Sequence, residues 1–291
     1  MNRWRPGEHY APGPASGLAA RLRGWPVRSR RHHVAGPIAG VLRGRTGPAD
    51  ESERTAVLAA VLAVVAAEST VAFVDPVAGA VAHGLLLLAF LLRWVLAEEA
   101  TILVLALVPL GRLTSLALTP QYYEPATYVL TGLPLLLGVL WMSRGFPGPD
   151  EQIHPTPEWT AVAVALAGLP LGWVAHALLP LPALDHPDGA LTIAVGVPVT
   201  FLFAGVLEEL LFRGLIMRTL ERVFGVWAVV LADVLFVAAY LPVGDPGVLV
   251  FMAVLGIAFG WYLRRTRLLA PVAIAHGLMA ASALVIWPAI G

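Results

Sequence analysis

The sequence predicts an all-α fold: a polytopic membrane bundle of about eight or nine transmembrane helices. Its 291 residues are 58% hydrophobic and only 13% charged, and the mean hydropathy is +0.77. Ordinary soluble domains carry about 25% charged residues. A water-soluble protein of this size could not bury so much apolar surface, so we expect an integral protein of a lipid bilayer.

Charge and cysteine content exclude several classes of function. Nineteen basic residues balance nineteen acidic ones. No basic field is therefore available, and we expect no nucleic-acid partner. Cysteine is absent, which excludes disulfides, thiolate metal sites and cysteine nucleophiles. Every basic residue is arginine, and with the frequent Ala, Gly and Pro this indicates GC-rich coding and a bacterial source.

The first 54 residues differ in composition from the rest of the chain. They hold ten of the nineteen arginines and no long apolar run. A secretory signal requires about 7–15 apolar residues directly after a basic start, and residues 1–10 lead into no such segment. We expect residues 1–54 to form a basic, disordered cytoplasmic tail.

The remaining chain divides into two groups of apolar segments, at 55–142 and at 159–291, separated by a Pro-, Gly- and acid-rich loop at 143–158. A transmembrane helix needs about 20 mostly apolar residues. The third and fourth segments are the weakest, so one re-entrant pair is the alternative to two full spans there. The candidate spans are Thr55–Val74, Val77–Leu96, Thr101–Thr119, Ala126–Met142, Trp159–Leu179, Ala190–Leu211, Val226–Leu241, Gly247–Leu263 and Leu268–Ile286.

The arginines predict the orientation of these spans. With the N-terminus in the cytoplasm, 17 of the 19 arginines fall in cytoplasmic segments and none in the outer loops. Loops rich in arginine stay on the cytoplasmic side of a membrane. The sequence therefore predicts a multi-pass plasma-membrane protein with its N-terminus inside the cell.

Ionisable side chains within the spans carry most of the functional information, because each costs about 2.5–3.5 kcal/mol at a helix centre. We interpret Glu68 and His83 as hydrogen-bonded within the bundle, and Arg112 as the mark of a re-entrant or interfacial helix. Asp233 is interpreted as a hydrogen-bonding partner of a neighbouring helix. The full set is Glu68, His83, Arg93, Arg112, His176, Glu208, Glu209, Asp233 and His276.

The adjacent acids Glu208 and Glu209 cannot both be satisfied by one partner. Glu209 and Arg213 are four residues apart and share a helix face, whereas Glu208 points about 100° away. We expect Arg213 to keep Glu209 ionised and Glu208 to face the bundle interior without a cation, an environment that suits a general base. The alternative is a buried cluster that only locks helices together.

Three segments in order resemble one family, the CAAX prenyl endopeptidase and bacteriocin-processing (CPBP) intramembrane proteases, also called type II CAAX proteases or the Abi family. Residues 208–214 (EELLFRG) fit its EExxxR motif. Phe236 begins the second motif, FxxxH, but Tyr240 replaces its histidine. His276 begins the last motif, HxxxN, but Ala280 replaces its asparagine. The resemblance covers roughly residues 159–287 and implies a CPBP/Abi-like protease domain at 159–291.

The resemblance implies a role for each matching residue. Glu208 would be the base that activates a water, with Glu209 and Arg213 as its support, and His276 would stabilise the oxyanion. Tyr240 cannot act as a proton acceptor at neutral pH, since a free tyrosine has a pKa of about 10, but its hydroxyl can donate a hydrogen bond. No cofactor is implied. A divalent metal is weakly supported, because zinc requires more protein ligands than His276 and one glutamate.

Helix geometry predicts that these residues can meet. Glu208 lies about 15 residues before the turn near 223–225, and Tyr240 about 16 after it, so both lie at one depth. His276 reaches that depth only if the stretch 213–222 projects into the cytoplasm. Small residues at Gly256 and Gly260, and at Ala273 and Gly277, permit close helix packing.

Three functions remain open on the sequence alone. The first is an intramembrane, glutamate-dependent endopeptidase that cleaves a membrane-associated protein or peptide, with activity reduced by the changes at Tyr240 and Ala280. The second is a non-catalytic family member that binds or regulates a membrane partner or confers bacteriocin immunity. The third is a transporter with an acidic midplane site, but such proteins show internal repeats, and the N-terminal half contains no second EExxxR-like segment.

Overall fold

The computed structural model describes residues 49–97, 99–117, 125–143, 157–178 and 189–290, and all regular structure in these ranges is helical. The predicted all-α fold is confirmed. The basic tail lies outside the described residues up to position 48, and the loop 143–158 lies outside them at 144–156. The first helix already begins at Glu51.

Nine helices, α1 to α9, are formed by the described residues. Eight stretches are long and apolar enough to cross a membrane, and the longest, Ile193–Val243, contains most of α6 and all of α7. It reverses direction at Gly225, whose positive φ of 57° suits glycine. The helices are α1 Glu51–Phe73, α2 Pro76–Ala97, α3 Ala100–Ala117, α4 Pro125–Ser143, α5 158–178, α6 190–224, α7 Ala228–Ala238, α8 Pro246–Thr266 and α9 Leu269–Ile290.

Each candidate span overlaps one of these helices, and the largest difference in bounds is at α6. Its span was expected to end at Leu211, but the helix continues to Phe224. The extension is stable because Leu215, Ile216 and Leu220 are buried. Arg222, near the end of the extension, pairs with an acid of α1: its Nη2 atom lies 2.7 Å from Glu53 Oε1.

The helices differ in how much of their surface is covered. α2, α4 and α5 expose large apolar side chains, among them Leu85, Leu137 and Trp159, as expected of helices that face lipid. In α9, by contrast, 67% of the most apolar stretch is buried. His276 lies on α9, so it is held at the centre of the bundle.

α6 and α9 cross at a pair of glycines. A Cβ atom added to Gly205 of α6 would collide with the backbone of Gly277 on α9, and one added to Gly277 would contact the ring of Phe201 at 2.7 Å. Small residues allow helix backbones to approach closely in a membrane. The crossing places Glu208 and Glu209, one turn beyond Gly205, against His276, which precedes Gly277.

The α6–α9 crossing yields a first prediction. We expect Gly205→Ala to reduce thermal stability in detergent by about 1–3 kcal/mol, because overpacking at a close contact forces the helices apart. Gly84→Ala in α2 is the matched control, since a Cβ there meets nothing within 4 Å and alanine favours a helix. Equal stability of the two variants would contradict this account of the crossing.

Candidate active site

The two adjacent glutamates lie in an irregular part of α6. The segments Thr200–Val206 and Leu210–Met217 are π-helical, and only the three residues between them are α-helical. The backbone N–H of Leu207 donates to the carbonyl of Leu202, five residues earlier. π-Helical turns are rare and are frequent at functional sites. Glu208 and Glu209 therefore project from a locally widened helix.

Glu209 is the centre of a buried polar cluster. Its side chain is fully buried, and its Oε1 atom accepts a hydrogen bond from Arg213 Nη1 at 3.1 Å. The same oxygen lies 2.8 Å from Nδ1 of His276. An ionised carboxylate only accepts hydrogen bonds, so Nδ1 carries a proton when Glu209 is ionised. Glu209 thereby fixes both the orientation and the tautomer of His276.

Arg213 connects this cluster to α7. Its Nη2 atom lies 3.6 Å from Oδ1 of Asp233, and its guanidinium stacks on the ring of Phe236, 4.0 Å from the centroid. Gly256 of α8 leaves room for the pair, since a Cβ there would overlap Asp233 Oδ1. Arg213 pairs with Glu209 as the spacing predicts, and Asp233 contacts a neighbouring helix as an ion-pair partner.

Glu208 has a different environment from its neighbour. Its Oε2 atom accepts a hydrogen bond of 2.7 Å from the hydroxyl of Tyr240 and lies 3.8 Å from Nε2 of His276. The side chain is 28% exposed. Within the described residues Oε1 accepts no hydrogen bond. One carboxylate oxygen is thus held in place, and the other is available to a ligand or a water.

Tyr240 lies just beyond α7 rather than within a helix. α7 ends at Ala238, and Tyr240 occupies the turn that follows. Its ring packs edge-on against Phe236 at 5.3 Å between centroids, and His276 packs on the same ring at 5.9 Å. Phe236 therefore positions three polar side chains. The one sign of this role in the sequence is that Phe236 is the first residue of the second motif.

A cavity of about 250 Å³ opens beside Glu208. It lies between the N-terminal helices and α6, and both polar and apolar side chains line it. A compartment of this size holds several waters or one peptide unit with its neighbouring atoms. Its lining includes Glu68, Leu107, Arg112, Tyr128, Phe203 and Glu208.

Arg112 was expected to mark a re-entrant or interfacial helix, but together with Glu68 it lines this cavity inside the bundle. Arg112 Nη2 lies 2.8 Å from Oε2 of Glu68, and it donates a hydrogen bond of 2.6 Å to the carbonyl of Ala239. Arg112 is therefore a bundle residue that reaches the segment next to Tyr240. Glu68 also lies 3.7 Å from His83. The sequence shows that Glu68 and Arg112 have opposite charges and lie in separate spans. It does not show that α1 and α3 are neighbours, so it could not predict this ion pair.

In the part of the chain that the structure describes, no group of three or more His, Cys, Asp or Glu side chains could hold a metal ion. What the arrangement offers is a carboxylate beside a small cavity, a hydroxyl donor and an oriented imidazole.

Comparison with known proteins gives a match in the C-terminal part of the chain. The family model described as type II CAAX prenyl endopeptidase Rce1-like matches residues 190–282, about a third of the chain. This range runs from the start of α6 into α9 and contains the two glutamates, Arg213, Tyr240 and His276, but not Glu68 or Arg112. No curated protein and no solved structure matches the chain. The match confirms the resemblance that the three motifs indicated.

The contrast between the two glutamates yields a second prediction. We expect Glu209→Gln to reduce the free energy of unfolding by about 3–5 kcal/mol, because it leaves Arg213 buried without its nearest acid. Glu208→Gln is the matched control and should cost less than about 1 kcal/mol, since its amide oxygen still accepts from Tyr240. Thermal unfolding in detergent measures the stability of both variants. Equal losses of stability would contradict the proposed difference between a structural Glu209 and a cavity-facing Glu208.

Proposed function

We propose that this chain, whose residues 190–282 belong to the type II CAAX prenyl endopeptidase family, is an intramembrane endopeptidase that uses Glu208 as its base. It would hydrolyse a peptide bond of a membrane-associated protein or peptide. One observation supports this most directly: Glu208 lines a cavity with one oxygen held by Tyr240 and the other free.

The proposed reaction follows from that geometry. A water beside Glu208 gives its proton to Oε1 as its oxygen attacks the carbonyl carbon of the peptide. The electron pair of the C=O bond moves to the carbonyl oxygen and forms an oxyanion. When the C–N bond breaks, the protonated Glu208 returns the proton to the leaving nitrogen, and the products are an acid and an amine. Such acid–base catalysis contributes about 10²–10⁴ in rate.

Tyr240 supports this reaction as a donor and not as a second base. Its hydroxyl proton points to Oε2 of Glu208, so it fixes the carboxylate and leaves Oε1 as the proton acceptor. A tyrosine hydroxyl does not accept a proton at neutral pH. The family's second-motif histidine would share the work of the base, so the proposed enzyme depends on Glu208 alone and is slower.

His276 is proposed to position the water. In the neutral form of His276 that donates from Nδ1 to Glu209, Nε2 presents a lone pair. That atom lies 3.8 Å from Glu208 Oε2, so a water beside the Glu208 carboxylate can donate one proton to Nε2 and the other to Oε1. In this form His276 has no N–H to give to an oxyanion, and that role passes to another group.

A non-catalytic function is the second candidate, and the substitutions at two motif positions favour it. Ala280 is buried and offers no side-chain donor, and Tyr240 occupies one oxygen of Glu208. In this case the same cavity would bind a peptide of a membrane partner without cleaving it.

Cleavage assays separate the two candidates and give a third prediction. We expect purified protein in detergent to cleave members of a library of membrane-associated peptides, and Glu208→Gln to reduce kcat by about 10²-fold or more because no base remains. Glu158→Gln, an exposed acid at the start of α5, is the matched control and should retain full activity. Peptide binding without turnover, unchanged in Glu208→Gln, would support the non-catalytic candidate instead.

The location and orientation are part of the same proposal. The arginine distribution supports a plasma-membrane protein with a cytoplasmic N-terminus. As a fourth prediction, a reporter that is active only in the cytoplasm should be active when fused to the N-terminus in intact cells. The same position fused to a reporter that requires export should be silent, and the reverse pattern would overturn the orientation.

A further inference from the structure

We propose that Arg112 of α3, which lies outside the matched family range, is the donor that stabilises the oxyanion formed in the cavity. This inference rests on the proposed hydrolysis and adds to it a residue from the N-terminal helices. Three features support the inference: the contacts that fix Arg112 in place, its N–H groups that make no hydrogen bond, and the net charge of the cavity.

Arg112 is fixed by two contacts of one nitrogen. Nη2 donates to the carbonyl of Ala239 at 2.6 Å and lies 2.8 Å from Glu68 Oε2. Ala239 directly precedes Tyr240, whose hydroxyl holds Glu208. The guanidinium and the proposed base are therefore tied to the same short segment after α7. Donors fixed in advance are the ones that stabilise charge as it develops in a transition state.

Most of the donors of Arg112 remain unused. A guanidinium carries five N–H groups, of which Nη2 uses its own in the two contacts just described. No hydrogen bond from Nη1 occurs within the described ranges. Arg112 and Glu208 line the same cavity of about 250 Å³. In the proposed reaction one peptide unit lies in this cavity, between the two side chains.

Several other polar groups at this site are committed elsewhere. The hydroxyls of Ser115 and Thr131, which also line the cavity, donate to backbone carbonyls of their own helices. The hydroxyl of Tyr240 donates to Glu208, and His276, in the neutral form proposed above, offers only a lone pair at Nε2. Arg112 is the charged donor on the cavity wall with N–H groups to spare.

The charge of the cavity favours an oxyanion over an acidic ligand. Glu68 and Arg112 neutralise each other, which leaves the charge of Glu208. A ligand carboxylate would add a second negative charge to a small, partly apolar space, at a high cost. Hydrolysis adds none, because Glu208 becomes neutral as the oxyanion forms. The negative charge then moves from Glu208 to the peptide oxygen, where Arg112 can stabilise it.

The test compares ligands that differ only at the reacting group. From the peptide library, the peptide that binds the full-length wild-type protein most tightly is paired with its phosphinate analogue, which imitates the tetrahedral oxyanion. We expect the wild type to bind the phosphinate at least about 10²-fold more tightly than the peptide. Arg112→Gln should lose about 10²–10³-fold in phosphinate affinity, with peptide affinity almost unchanged. In cleavage assays kcat should fall by the same factor, with little change in KM.

Two further variants keep the test independent of folding. Arg112→Gln leaves Glu68 buried without its partner, so the double variant Arg112→Gln with Glu68→Gln removes both charges and should show the same selective loss. Arg265→Gln, an exposed arginine of α8, is the matched control and should bind both ligands like the wild type. Thermal midpoints in detergent identify any variant that fails to fold.

Each outcome decides the inference. Equal loss of peptide and phosphinate affinity overturns it, because Arg112 would then bind the ground state or only maintain the fold. A wild type without phosphinate preference overturns it as well. If cleavage depends on Glu208 but kcat survives in Arg112→Gln, the inference fails alone. If phosphinate preference depends on Arg112 but no peptide is cleaved, the oxyanion site stands and the hydrolase proposal fails.

Discussion

The buried carboxylate of Glu209 is the constraint on which this site depends. In an apolar interior a charged group is stable only with partners of good geometry, and one oxygen of Glu209 receives both Arg213 and His276. Through Arg213 the same cluster reaches Asp233 of α7. Helices α6, α7 and α9 are therefore fixed relative to one another by polar contacts, and the position of the imidazole follows from them.

The parts of this arrangement that were predicted from sequence are those set by local spacing. The pairing of Glu209 with Arg213, and the different direction of Glu208, follow from four residues and about 100° on a helix. The partners of Arg112 did not follow, because its carbonyl acceptor is 127 residues away in sequence. Apolar spans have similar sequences, so their hydrophobic pattern does not show which helices pack together. Close packing between small residues decides which helices are neighbours.

Irregular backbone geometry accounts for the remaining differences between the structure and the sequence-based expectations. A helical pattern predicts the α6 span but not the π-helical segments on both sides of Glu208 and Glu209, since side-chain periodicity does not record a change in backbone hydrogen bonding. Tyr240 likewise follows α7 instead of lying within it. Phe236 unites these features, because Arg213, Tyr240 and His276 all pack on its ring.

The tyrosine at position 240 changes the balance of the proposed chemistry. A histidine there could accept and return protons, whereas the hydroxyl of Tyr240 only donates to Glu208. Glu208 must then act as the sole base, and a slow proton transfer makes stabilisation of the oxyanion more important. Ala280 supplies no donor for it, but the N-terminal helices place Arg112 on the cavity wall. The proposed active site would then draw on helices from both groups of spans, those before and those after residues 143–158.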